Sequence, residues 1–121
     1  MSEILYERLG GTEGITKIAS DAVDFHFSNP RIATRFKNAK ASVEEMKHGA
    51  ATFFIVGTGG PSVYKGKDMT STHKGMNISN TEFVEVLSDV LKALNKNNIA
   101  QREKEEVLYV LFSMKDEIVS V

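Results

Sequence analysis

The chain has 121 residues, 41% of them apolar and 26% charged, a balance that supports one folded core and is too apolar for a disordered chain. Fifteen basic residues against sixteen acidic ones leave a formal charge of -1, which gives no field to draw in nucleic acid or anionic lipid. The absence of cysteine removes disulfides, thiolate metal sites and sulfur nucleophiles, leaving His26, His48, His73 and the methionines as soft ligands.

The opening residues, Met1 to Arg8, show no basic segment with an apolar run behind it, and no stretch approaches the ~20 apolar residues of a membrane span. One cytoplasmic domain over residues 1–121, with neither membrane nor nucleic acid as a partner, is the expectation. Ile4, Leu5 and Leu9 mark a first short helix that Gly10-Gly11 ends. A second helix follows, with Thr12 placed to cap it and Ile15, Ile18, Ala22 and Phe25 forming an apolar stripe at helical spacing. Ser28-Asn29-Pro30 closes that helix, and Asn29 is placed to cap the next, whose inner face is Ile32, Ala33 and Phe36.

Ser42-Val43-Glu44-Glu45 has the pattern of a capping box and opens a helix carrying Met46, Ala50, Phe53 and Phe54 to an end near Gly57. Residues 57–68 hold four of the nine glycines and one of the two prolines, so they form a loop. Met69 to Lys74 is a brief helix that Gly75 terminates. Ser79-Asn80-Thr81-Glu82 is a second capping box, ahead of an amphipathic helix with Phe83, Val86, Leu87, Val90, Leu91 and Leu94 on one face. A last helix runs from about Ala100 through Val107, Leu108, Leu111, Met114 and Ile118. No segment alternates like a strand, so the class is all-α.

Several chemistries find no support. There is no HExxH and no GxSxG, and Gly57-Thr58-Gly59-Gly60 follows a helix and lacks the GK[ST] of a phosphate cradle. His73 stands apart, because it rides a very short helix with Met69 one turn before it and Ile78 and Phe83 beyond a glycine break. A lone imidazole in apolar surroundings suits the proximal side of a five-coordinate haem. Spacing alone favours the plainer reading, a histidine that suits the dipole of a helix C-terminus.

Leu5-Tyr6-Glu7-Arg8-Leu9-Gly10-Gly11, Asn29-Pro30-Arg31-Ile32 leading to Phe36, Phe53-Phe54 before Gly59-Gly60-Pro61, Tyr64-Lys65-Gly66-Lys67-Asp68-Met69 and Thr72-His73-Lys74-Gly75-Met76-Asn77-Ile78 together resemble the truncated haemoglobins, most closely their first group. The resemblance spans nearly the whole chain. It implies a two-over-two helical sandwich around haem b, with His73 as the proximal iron ligand. Phe36 matches the phenylalanine packed on the porphyrin. Phe53, Met69, Ile78, Phe83 and Val86 are then haem-contacting positions, and Met46 and Ala50 match the distal-helix positions nearest the gas. A diatomic ligand (O2, CO or NO) is implied, as is either oxygen handling or NO detoxification, the latter served by a ferric-haem reductase not identified by the sequence. A monomer or weak homodimer is expected.

One departure matters. The distal tyrosine of the family falls at Val23, its preceding phenylalanine at Ala22, and the glutamine often present at position 50 is Ala50. Without that donor, bound dioxygen would lose roughly 1–3 kcal/mol, which implies fast O2 release, relatively favoured CO and NO, and easy oxidation. Met46 could itself ligate iron. The stretch between Phe36 and Phe53 is two residues longer than the family pattern, so His48, which helical geometry turns about 200° from Met46, is a further candidate iron ligand. Either would give a six-coordinate redox, electron-transfer or sensor haem. A haem-free helical interaction module is the remaining alternative. His26 is expected near the surface, Lys47, Lys65, Lys67 and Lys74 near the haem propionates, and Tyr64 closing the loop onto the haem side.

Overall fold

The computed structural model describes residues 4–66 and 68–120. Eight helices follow one another: α1 (Leu5–Arg8), α2 (Gly11–Ser28), α3 (Ala33–Lys37), α4 (Val43–Gly57), α5 (Met69–His73), α6 (Asn80–Lys96), α7 (Gln101–Phe112) and α8 (Lys115–Ile118). Among the described residues the only β-type pairing is an isolated parallel bridge between Ile78 and Val119.

The α1–α2 turn is made by Gly10 and Gly11 at φ +97° and +68°, a region that costs residues with a Cβ. Thr12 does not cap α2 as expected, and Gly10 takes the N-cap position without a side-chain acceptor. The Tyr6 hydroxyl does the work instead, accepting the Thr12 N–H at 3.1 Å and lying 2.6 Å from its Oγ1. Asn29 also differs from expectation. It ends α2, and its Oδ1 accepts the Arg31 N–H at 3.0 Å, so it caps a turn while α3 begins only at Ala33.

Both capping boxes form. Ser42 and Glu45 exchange bonds of 3.1 and 3.0 Å at the start of α4, and Ser79 and Glu82 exchange two of 3.1 Å at the start of α6. Each box satisfies a first-turn N–H and the N-cap N–H of a helix that supplies five residues to the cavity wall described below. The last helix is interrupted where a continuous one was expected: α7 ends at Phe112, and the chain turns through Ser113 and Met114 into α8. The break lets the chain fold back so that Val119 meets Ile78 and the Ser120 N–H donates to the Ile78 carbonyl at 2.9 Å.

α2 is the centre of the arrangement, lying against α4 on one side and α6 on the other, with α7 against α6. The core gathers Ile15, Ile18 and Ala22 of α2, Ile55 of α4, Val90, Ala93 and Leu94 of α6 and Val107 of α7. A helix pressed from two sides must bury polar residues as well, and α2 buries Asp21 and His26. Each is matched by partners on α6 or just beyond it. Arg8 anchors α1 to α7 through a two-pronged pair with Glu106 at 2.5 and 2.8 Å.

Candidate functional site

A cavity of about 460 Å³ opens between α2, α3 and α4 on one side and α5, α6 and α8 on the other. That volume lies within the range of cofactor sites, and the wall is overwhelmingly apolar and aromatic. His73 reaches it from the end of α5. Asp68 caps that short helix by accepting the Ser71 N–H at 2.7 Å, which fixes the turn that carries the histidine.

The His73 Nδ1 lies 2.7 Å from the Met69 carbonyl oxygen. A carbonyl has no proton to give, so the ring nitrogen donates, and in the neutral imidazole the lone pair is left on Nε2. A backbone carbonyl holding the far nitrogen of a histidine is the usual way in which a metal-binding imidazole is oriented and made more basic. Met69 and Ile78 line the cavity beside His73, and Phe53, Phe83 and Val86 widen it with flat or branched apolar surface. Val23, Phe36, Met46 and Ala50 also line it, contributed by α2, α3 and α4. Tyr64 packs its ring on Phe53 with centroids 5.8 Å apart and bounds the cavity from the loop.

Other candidate residues stand off the cavity wall. His48 is exposed and does not line the cavity, because it lies on the outer face of α4. Lys47 pairs with Asp24 at 2.9 Å, Lys65 and Lys74 are exposed away from the wall, and Lys67 lies outside the described residues. The basic side chain that does border the cavity is Arg35, joined to Glu82 by two bonds, and neither residue was singled out from the sequence.

His26 is the larger correction. It is 7% exposed, not near the surface, and it lines the cavity three residues after Val23 on α2. Its Nδ1 lies 2.8 Å from Oδ2 of Asp89, a fully buried carboxylate on α6 that also accepts from Asn29 at 3.2 Å. The imidazole stacks on Phe36 with centroids 4.8 Å apart and 17° between planes. Burial pushes its proton affinity below the usual histidine value, and the bond and charge of Asp89 only partly oppose this. A clue was present in the sequence: Asp89 lies within the apolar stripe of α6, directly before Val90, where a carboxylate needs an inward partner.

A small helical bundle enclosing an apolar slot, with a carbonyl-oriented imidazole on its wall, has the form of a cofactor-binding helical protein. The chain belongs to the bacterial-like globin family, whose model matches residues 4–120. It is 30% identical to the group 1 truncated haemoglobin of Tetrahymena pyriformis over 109 residues, covering 88% of each chain, and 26% identical to that of Tetrahymena thermophila over 98 residues, covering 81% of this chain and 79% of the other. The crystal structure of the T. pyriformis protein in its Fe(III) form superposes with a TM-score of 0.92 at 24% identity, over 98% of this chain and 100% of that one. The 2/2 haemoglobin of Synechococcus, solved in the cyanomet state with covalently attached haem, gives 0.84 at 19% identity over 95% of each chain. The fold is therefore that of the truncated haemoglobins, and family membership brings with it haem as the cofactor and gas binding as the activity.

Proposed function

We propose that residues 1–121 form one cytoplasmic haem b protein that binds O2, CO or NO at an iron held by Nε2 of His73. The observation that carries this reading is the Nδ1 bond from His73 to the Met69 carbonyl, which leaves Nε2 unprotonated on the cavity wall. Haem, when bound, supplies an iron centre that takes up a diatomic gas reversibly. The chain's own residues do the rest. Phe36, Phe53, Phe83 and Val86 give the flat apolar surface that a porphyrin needs and keep water from the slot. Arg35 is the cation suited to a propionate, in competition with Glu82.

Val23, Met46 and Ala50 offer no hydrogen-bond donor to a gas, which supports quick O2 release and a relative preference for CO and NO. NO detoxification with an unidentified ferric-haem reductase fits the same site less well, because it depends on retained O2. A second reading has one observation in its favour: Met46 borders the cavity and could make a six-coordinate redox haem.

The test is the absorption spectrum of the purified protein and of His73→Gly. The expected result is a five-coordinate ferrous spectrum that forms a CO complex, with haem affinity lost in His73→Gly and restored by added imidazole. A His73→Gly protein that holds haem with an unchanged spectrum would sink the assignment, and two sharp visible bands in the unliganded ferrous form would favour the second reading.

A further inference from the structure

The pair formed by His26 and Asp89 is not accounted for by gas binding, and nothing in the packing alone requires an imidazole there. Leucine or phenylalanine would fill the space between α2 and α6 without the cost of burying a carboxylate. The partners of Asp89 are an amide and an imidazole nitrogen, the donors that an ionised carboxylate needs. His26 therefore carries its proton on Nδ1. The two ring nitrogens diverge, so with Nδ1 directed at α6 the other edge of the ring turns from that helix. Among the described residues Nε2 makes no hydrogen bond, and it is not among the polar atoms sealed from solvent without a partner. The cavity that His26 lines is the space available to it.

The surrounding charges leave this arrangement intact. On α6, Glu85 is bound to Arg31 and Asn29, and Glu82 is bound to Arg35. On the α4 side, Lys47 is taken up by Asp24. Among these groups no unpaired cation competes for Asp89, and the carboxylates of Glu82 and Glu85 are taken up by their own partners instead of drawing a second proton onto the imidazole.

We infer that His26, fixed by Asp89, is a proton acceptor in the gas-binding cavity, which suits the pocket to small weak-acid ligands such as hydrogen cyanide, hydrogen azide or hydrogen sulfide. The step is an acid–base transfer. The ligand HX gives its proton to Nε2 and enters as X⁻, leaving an imidazolium whose two N–H groups face Asp89 and the cavity. No electron is moved and no co-reactant is needed. An acceptor at this place gives a pocket without the tyrosine a basis for discrimination: it favours a ligand that carries an acidic proton and offers nothing to an aprotic gas. The inference rests on the haem reading above.

The test measures association of cyanide with the ferric protein at pH 7, and of CO with the ferrous protein, in the wild type, His26→Phe and His26→Gln. Removal of a positioned base is expected to slow cyanide association in His26→Phe by about tenfold to a hundredfold more than it changes CO association. Phenylalanine keeps the stack on Phe36, so the two ligands separate proton acceptance from packing. Equal slowing of both ligands, or no slowing of either, overturns the inference. Imidazole ¹⁵N NMR of the diamagnetic CO form needs no variant: protonated Nδ1 and bare Nε2 on His26 support it, and the opposite tautomer overturns it. If the wild type forms no CO complex, the haem reading itself has failed. An intact CO complex with indifferent cyanide rates defeats the role of His26 alone.

Discussion

Asp21 and His73 show how much one hydrogen-bond partner decides. Asp21 is buried in α2, and burial alone would raise its carboxyl. Bonds from Asn97 at 2.9 Å, Lys17 at 2.9 Å and Lys96 at 3.2 Å outweigh that and hold it below the usual carboxylate range. A depressed folded value means that the unfolded chain takes up the proton first as pH falls. The stabilisation is thus full above about pH 4 and fades as pH drops through the folded value. Asp21→Ala is expected to cost about 1–2 kcal/mol at pH 7, most of it from the lost bond to the Asn97 amide, which keeps only the Ala93 carbonyl as acceptor, since the two lysines are exposed and screened. Urea unfolding at pH 7 and pH 3 checks this: the gap between wild type and variant should narrow at the lower pH. A gap that widens on acidification would contradict the account.

The same scale shows what the sequence could and could not reveal. The places of His73, Phe36 and Val23 on one cavity wall were legible because each sits in a contiguous motif or at a fixed distance from one. His26 was not, because the residue that makes its burial tolerable lies 63 positions away on another helix. A histidine one turn after Ala22 looks surface-bound until Asp89 is known to face it. The pairing of Lys47 with Asp24 was hidden for a related reason: side-chain reach can be read from sequence, but the partner that takes it up cannot.

Among the elements, the link between α4 and the loop after it depends on a close approach. A Cβ on Gly60 would stand 2.5 Å from Cδ1 of Tyr6 and 2.9 Å from Cγ2 of Ile55. The Tyr6 ring cannot retreat freely, because its hydroxyl closes the turn into α2 at Thr12. Gly60→Ala is therefore expected to destabilise the fold by about 1–3 kcal/mol, read as a lower midpoint in thermal unfolding. Unchanged stability would mean that the ring moves without consequence. Helix boundaries marked by capping residues were readable in advance for α4 and α6, whose serine–glutamate boxes form as written. The end of α7 was not, since nothing between Val107 and Ile118 breaks the apolar spacing. The turn at Ser113 is set by where Val119 must go, which is a tertiary demand.

For the whole molecule, the cavity is assembled from both ends of the chain. α2 supplies Val23 and His26 early in the sequence, while Met114 and Ile118 border the same space from the final turn. α8 lies against α5, and the Ser120 N–H bond to Ile78 ties the last described segment to the strand of chain just beyond His73. Ser120 sits at φ +60°, so Ser120→Pro would remove the N–H and demand an incompatible backbone. The expected outcome is haem transfer to an acceptor protein that is about fivefold to tenfold faster, with global unfolding shifted less than in Gly60→Ala. Haem loss at the wild-type rate would show that the tie does not support the His73 side.

That tie also sets an order of events in the making of the protein. The wall bearing Val23, His26 and Met46 is synthesised well before residues 114–120, and one flank of the pocket stays open until Met114 and Ile118 are in place. A pocket still lacking Met114 and Ile118 would be open beside His73 and so would keep an apolar cofactor only loosely.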